Sequence, residues 1–267
     1  MRTHVRGNLS RPLSPCLEWL FADGGRPLPD RVRAAAAAGF KHVEFWTTTN
    51  KDLGSLERAI QESGVEVTAF VSEPTARIVD RASHDEFIAG IESSSRLAAR
   101  LNARNLIVLS GDELTDVARD DQRAAIIEAL RRAAPIAAGA GIGLVLEPLN
   151  TIVDHRGYFL DSTTEGLEII RLVGHPSVRL LYDVYHSIVM GEEPAEVLKD
   201  AGDLVGHVHL ADVPGRHEPG SGTIDWTKQL GTLRAAGHDG PLGLEFMPLR
   251  GTESSLRLIQ QLVQESD

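Results

Sequence analysis

The sequence is poor in cysteine, in positive charge and in long apolar runs, and each shortage excludes something. Its one cysteine, Cys16, rules out an internal disulfide and any thiolate-rich zinc site, and it suits a reducing cytosol. Lys and Arg number 27 against 38 Asp and Glu, a formal net charge of -11. A chain this acidic is a poor candidate for gripping a phosphate backbone, which needs a basic footprint. No window approaches the roughly 20 apolar residues of a membrane span; the longest apolar run of note, residues 34–38, has helix composition. The first residues hold no apolar stretch of signal-peptide length. The expectation is a soluble, cytoplasmic protein that works on a small molecule, with no nucleic-acid or membrane partner. A homo-oligomer is left open.

What is present is an alternation. With 267 residues, 42% of them hydrophobic and 24% charged, the chain has an ordinary globular composition. Short runs rich in Val, Ile, Leu and Phe recur at 5–9, 42–46, 66–71, 105–110, 143–147, 179–184, 205–211 and 241–246. They are mostly apolar rather than strictly alternating, as strands covered on both faces should be. The stretches between them carry helical spacing: 31–39, 53–63, 84–101, 121–140, 163–173, 194–199, 226–236 and 252–265. Several end in Ala-Gly or Ser-Gly just before the next strand, as short helix-to-strand loops do. Ser162 with Glu165 reads as a capping box, and Asp225 as the cap of the helix that follows it. The last four residues should fray. Eight strand–helix units predict a single-domain α/β fold, a (β/α)8 TIM barrel over residues 1–267. A doubly wound sheet is the rival, but no G-x-G-x-x-G follows any of the first three strands.

In such a barrel the chemistry sits at the C-terminal ends of the strands. Strand 5 ends at Glu147, strand 6 at Asp183, strand 7 carries His207 and His209, and strand 8 ends at Glu245. Acidic residues in apolar strands are costly unless paired or bound to metal. Alternation sets Val145 and Gly143 on the face of Glu147, and Gly243 on that of Glu245. Any one of these residues alone reads as a salt-bridged or satisfied side chain; four at equivalent strand ends read as a metal site. Three carboxylates and one imidazole suit one divalent ion, Mn2+, Mg2+ or Co2+. His207 reads as a support or core residue rather than a ligand.

The motifs Leu-Glu147-Pro-Leu-Asn, Tyr-Asp183-Val-Tyr-His186, Gly-His207-Val-His209, Pro-Gly-Arg216-His-Glu-Pro-Gly, Gly222-Thr-Ile-Asp225-Trp226 and Gly-Leu-Glu245-Phe occur in this order. Together they resemble the xylose isomerase-like sugar isomerase/epimerase superfamily, and within it hydroxypyruvate isomerase-like proteins most. Gly-Asn8-Leu-Ser10, Ala-Gly39-Phe-Lys-His-Val-Glu44-Phe and Leu-Arg250-Gly-Thr extend the likeness over nearly the whole chain. The resemblance implies one barrel domain of that type. It implies that Glu147 and Glu245 are both metal ligands and the acid/base pair, and that Asp183 is a third ligand. Hydroxypyruvate isomerases can carry Gln at the strand 7 position, whereas ketose 3-epimerases of the tagatose/psicose type carry His; His209 departs toward the latter. His186 and Arg216 match substrate-contacting residues of the epimerase branch. The loop after strand 3, around Arg77, matches no hydroxypyruvate isomerase pattern and should set substrate choice.

The implied reaction is metal-dependent isomerisation of a small α-hydroxy carbonyl compound through an enediolate, with hydroxypyruvate to tartronate semialdehyde as the leading case. Alternatives are a ketose 3-epimerase and a non-catalytic sugar or hydroxy-acid binder. A nucleic-acid enzyme of the same superfamily would need more His ligands and a basic groove. Arg216 reads as a substrate contact or as a loop salt bridge with Glu218. His186 reads as a substrate contact or an orienter of Asp183, and Glu44 as a buried polar partner or a substrate contact. Cys16 is given no role.

Overall fold

The computed structural model describes residues 11–266, with Glu265 and Ser266 as backbone alone. Eight parallel strands form one sheet: β1 (Leu13–Pro15), β2 (His42–Val43), β3 (Glu66–Val71), β4 (Ala103–Val108), β5 (Gly143–Leu146), β6 (Val178–Asp183), β7 (Val205–Leu210) and β8 (Leu242–Leu244). From β2 to β8 each pairs with its sequence neighbour, and β1 pairs with β8. Backbone bonds from Glu44 to Pro15 (3.1 Å) and from Leu17 to Glu44 (2.7 Å) close β1 against β2. The connections carry α1 (Leu28–Ala37), α2 (Leu53–Ser63), α3 (His84–Arg100), α4 (Arg119–Gly139), α5 (Thr163–Val173), α6 (Val184–Val189), α7 (Pro194–Val197), α8 (Trp226–Ala235) and α9 (Thr252–Ser266). This is a single-domain (β/α)8 barrel. None of the helices among the described residues is long and apolar enough to cross a membrane.

Two expectations change most, besides β2 ending at Val43 and α9 running on through Ser266, where the sequence predicts fraying. The strand expected at 5–9 lies outside the described residues; the strand paired with β8 is Leu13–Pro15. Flanked by Pro12 and ending in Pro15, it has no apolar run to announce it. Pro15 still serves, because its carbonyl is what the closing bond from Glu44 requires. The second change follows β6. Val184, expected to end the strand, begins α6, because the Asp183 carboxylate accepts from Tyr185 N (2.7 Å) and His186 N (3.1 Å) and caps a helix there. Other caps match the sequence: Ser162 Oγ accepts from Glu165 N and Asp225 from Lys228 N. The return arm of the capping box is absent, since Glu165 turns to Arg119.

The main core lies between the strands and the helices. Inside the barrel, Ala69, Val71, Ile107, Val145 and Leu181 pack as a small apolar cluster contributed by β3 to β6. The side contributed by β1, β2, β7 and the start of β3 is polar: Ser14, Glu44, Thr68 and His207 are all buried. One irregularity sets up that polar side. Leu180 pairs with Val205 but Leu181 pairs with His207, so Gly206 is an extra residue in β7. A Cβ on Gly206 would lie 2.8 Å from Arg179 Cβ and 3.0 Å from Val145 Cγ1. Gly206→Ala should therefore overpack the barrel and destabilise it by about 1–3 kcal/mol. A lowered urea midpoint would show this; an unchanged midpoint would mean the bulge has room to spare.

Candidate metal and acid–base site

Four adjacent strands deliver the candidate ligands to one rim. Glu147 follows β5, Asp183 ends β6, His209 lies in β7 and Glu245 follows β8. All four are buried. His209 Nδ1 stands 3.4 Å from Glu147 Oε1, 3.4 Å from Glu245 Oε2 and 3.9 Å from Asp183 Oδ2. One ligand atom from each of Glu147, Asp183, His186 and Glu245 lies within 4.8 Å of the other three. The register explains the convergence: Asp183 pairs with His209, and His209 with Gly243, two residues before Glu245.

The donor set fits a divalent cation. Glu147 Oε1, Asp183 Oδ2 and His209 Nδ1 are buried and have no hydrogen-bond partner. Unpartnered buried polar atoms are uncommon and need a reason. Ligand distances near 2.1 Å set ligand–ligand edges of about 3.0–3.5 Å, close to the 3.4 Å separations seen here.

Burial pushes Asp183 up to about 7, against the pull of Arg216. Burial also works to raise Glu245, but Arg216 and His209 overcome it and hold that carboxyl well below the usual range. For His209 burial favours the neutral ring, and Glu245 and Glu44 outweigh it, so its pKa rises well above the ordinary value. The carboxylates thus demand positive charge at Nδ1. A proton meets the demand, and a metal ion would displace it.

Arg216 is the fixed cation. Its guanidinium bonds Glu245 and lies 3.8 Å from Asp183 Oδ2. It rests over the rings of Trp19 and Tyr185 at 5.2 and 5.4 Å. Its partners are these carboxylates and not Glu218, which accepts from Leu249 N. Asp212 builds the loop that presents it, accepting from Val213 N, Gly220 N, Ile224 N and Trp226 Nε1. Arg216 itself takes the left-handed backbone conformation (φ 56°).

His186 Nδ1 accepts from Asn150 Nδ2 (2.6 Å) and Asn150 N (3.2 Å). That leaves the proton on Nε2, 3.7 Å from Asp183 Oδ2. Trp46 Nε1 donates to Glu245 Oε1 at 2.5 Å. Sequence reasoning missed Trp46 and Asn150. Their signals were an aromatic residue closing a strand at the rim, and an amide three residues past a strand-end glutamate. Arg77, in the loop after β3, donates to Asp112 O.

Residues 32–262 match the family described as xylose isomerase-like TIM barrel, and the chain belongs to that family. A 2-oxo-tetronate isomerase from Cupriavidus necator is 30% identical, over 85% of this chain and 90% of that protein. A hydroxypyruvate isomerase from Escherichia coli is 29% identical, over 85% and 90%. Among solved structures, a protein from Brucella melitensis described as an AP endonuclease of family 2 has a TM-score of 0.85 and 28% identity, over 94% of this chain and 98% of that one.

The strain of the carboxylate cluster is measurable. With its folded-state pKa raised, Asp183 favours folding while protonated, and that contribution is lost as pH rises through about 7. Metal-free Asp183→Asn should therefore be more stable than the metal-free parent at pH 8, by up to about 4 kcal/mol at roughly 1.4 kcal/mol per pKa unit. The gap should close as pH falls from about 7 toward 4. Thermal unfolding across that range is the check; a variant less stable at pH 8 would contradict it.

Proposed function

We propose that this protein is a divalent-metal-dependent isomerase of a short α-hydroxy carbonyl acid, with hydroxypyruvate to tartronate semialdehyde as the leading reaction. One observation carries the reading: the buried, unpartnered atoms Glu147 Oε1, Asp183 Oδ2 and His209 Nδ1 converge with Glu245 Oε2 on one point at the barrel rim. Two relatives named for isomerisation of small oxo-acids support the substrate class. Glu147, Asp183, His209 and Glu245 would hold the metal, as Mn2+, Mg2+ or Co2+. When bound, it supplies Lewis acidity that draws electrons from a substrate carbonyl.

The chain supplies the proton chemistry. Glu147 has one carboxylate oxygen without a hydrogen-bond partner, whereas Trp46 and Arg216 hold both oxygens of Glu245. Glu147 is thus the freer base. It takes the proton from the hydroxymethyl carbon, and the electron pair left behind forms the carbon–carbon double bond of an enediolate. A proton returned to the neighbouring carbon, with the hydroxyl proton passing to the former carbonyl oxygen, completes the isomer, as the former hydroxyl oxygen becomes the carbonyl. On a substrate whose hydroxyl-bearing carbon is a stereocentre, return of a proton to that carbon from the other face would be epimerisation. That is the second reading, and His209 at the strand 7 position favours it. His186 offers Nε2–H, and Arg216 a guanidinium, to substrate oxygens. A nucleic-acid substrate fits poorly with a net charge of -11, and a pure binder does not need two bases.

Chelation should abolish turnover of hydroxypyruvate, and Mn2+, Mg2+ or Co2+ should restore it; full activity in a verified metal-free sample would refute the metal reading. Solvent deuterium uptake tests the bases. Glu147→Gln should lose at least 100-fold in turnover and all exchange, as general-base removal costs about 10²–10⁴-fold. Glu245→Gln should lose turnover yet keep some exchange. Near-normal rates in both would leave these carboxylates as ligands only.

A further inference from the structure

Beneath the candidate ligands lies another buried acid, which the reaction does not use. Glu44 follows β2 and is 2% exposed. Its Oε2 accepts from His207 Nε2 (2.8 Å) and from Thr68 Oγ1 (2.9 Å). Thr68 in turn shares a hydrogen bond with Ser14 Oγ (2.7 Å). The other oxygen, Oε1, has no hydrogen-bond partner, and it faces His209 Nε2 at 3.4 Å, which also has none. The imidazole thus lies between two sets of oxygens: Nδ1 toward Glu147, Asp183 and Glu245, and Nε2 toward Glu44.

The backbone opens the space that joins them. A Cβ on Gly243 would lie 2.5 Å from Glu44 Oε1 and 2.6 Å from His209 Cδ2. Two donors on Oε2 could be met by a neutral amide of the same shape. A buried carboxylate costs more than an amide unless its charge is matched. The partner that would make use of that charge is the ring N–H across from Oε1.

We infer that Glu44 is a positioning residue for metal binding: it holds the His209 proton on Nε2 and so presents the Nδ1 lone pair to the cation. The inference rests on the metal reading above and adds a role that reading does not assign. Glu44 fixes the ring's rotation and tautomer and makes Nδ1 a stronger donor, as carboxylates behind metal-bound histidines do. His207 and Thr68 fix the carboxylate. The same three residues, Glu44, His207 and His209, could be mistaken for a second cation site, but Oε2 and His207 Nε2 are already spent on each other.

The test compares zinc affinity, by calorimetry, in the parent and in Glu44→Gln, alongside the unfolding midpoint of each metal-free protein. Zinc serves because it is diamagnetic. Glu44→Gln should bind zinc about 10- to 100-fold more weakly, with its metal-free midpoint unchanged or raised. Equal affinity in the two proteins, or a loss of stability without a loss of affinity, overturns the inference while sparing the metal site. A parent that binds no zinc removes the metal reading, and this inference with it. Nitrogen-15 spectra of the zinc-loaded parent decide independently should the variant fail to fold. The His209 signal, identified by its loss in His209→Gln, should show a protonated Nε2 and a ligated Nδ1. The reverse pattern, or a second zinc per chain, contradicts the assignment.

Discussion

Glu147, Asp183 and Glu245 place three carboxylates in one buried space, with Glu44 close behind them, and the surrounding structure answers to that charge. Ionised groups taken out of water lose far more solvation than ordinary packing returns, so they persist only where matched charge and hydrogen bonds replace the water. Arg216 supplies one permanent positive charge, held in place by two aromatic rings and a loop organised around Asp212. His209 supplies a second site for positive charge, open to a proton or a cation. The apolar cluster inside the barrel contains none of these groups, though β5 and β6 lead into Glu147 and Asp183 at its rim. Glu44, His209 and Glu245 come from the short or bulged strands β2, β7 and β8.

That arrangement also divides labour among chemically similar groups. Two glutamates reach the same space from strands three apart, yet their surroundings differ. Glu245 is gripped by an indole N–H and a guanidinium. Glu147 is anchored chiefly through its backbone, whose carbonyl accepts the Tyr158 hydroxyl at 3.0 Å. One carboxylate is therefore fixed and charge-compensated, and the other keeps one oxygen without a hydrogen-bond partner. Sites that keep polar atoms unpartnered forgo stability for function, and the rise of Asp183 toward neutral pH is one sign of it.

Much of this was legible in the sequence, for physical reasons. Glycine-closed helices followed at once by apolar runs mark a barrel of parallel strands, and β3 and α2 keep their expected bounds. An acid at the end of an apolar strand is conspicuous because its cost must be met, which is why Glu147, Asp183, His209 and Glu245 stood out. The rest depends on contacts far apart in sequence or on residues with two jobs. Leu13–Pro15 lacks an apolar run and is a strand only because β8 and Glu44 pair with it. Asp183 ends a strand and caps a helix at once, which hides α6. Arg216 could have turned to Glu218, two residues away; the loop's fold sends it instead to Glu245. Glu44 belongs with His209 only after the barrel has closed.

The account stands on one cation held among these carboxylates by His209 Nδ1. Anomalous X-ray scattering from crystals of the manganese-loaded protein tests that most directly. It should give a single strong peak per chain within ligand distance of Glu147, Asp183, Glu245 and His209 Nδ1. A peak centred between Glu44 and His207, or none at the rim despite saturating metal, would contradict it.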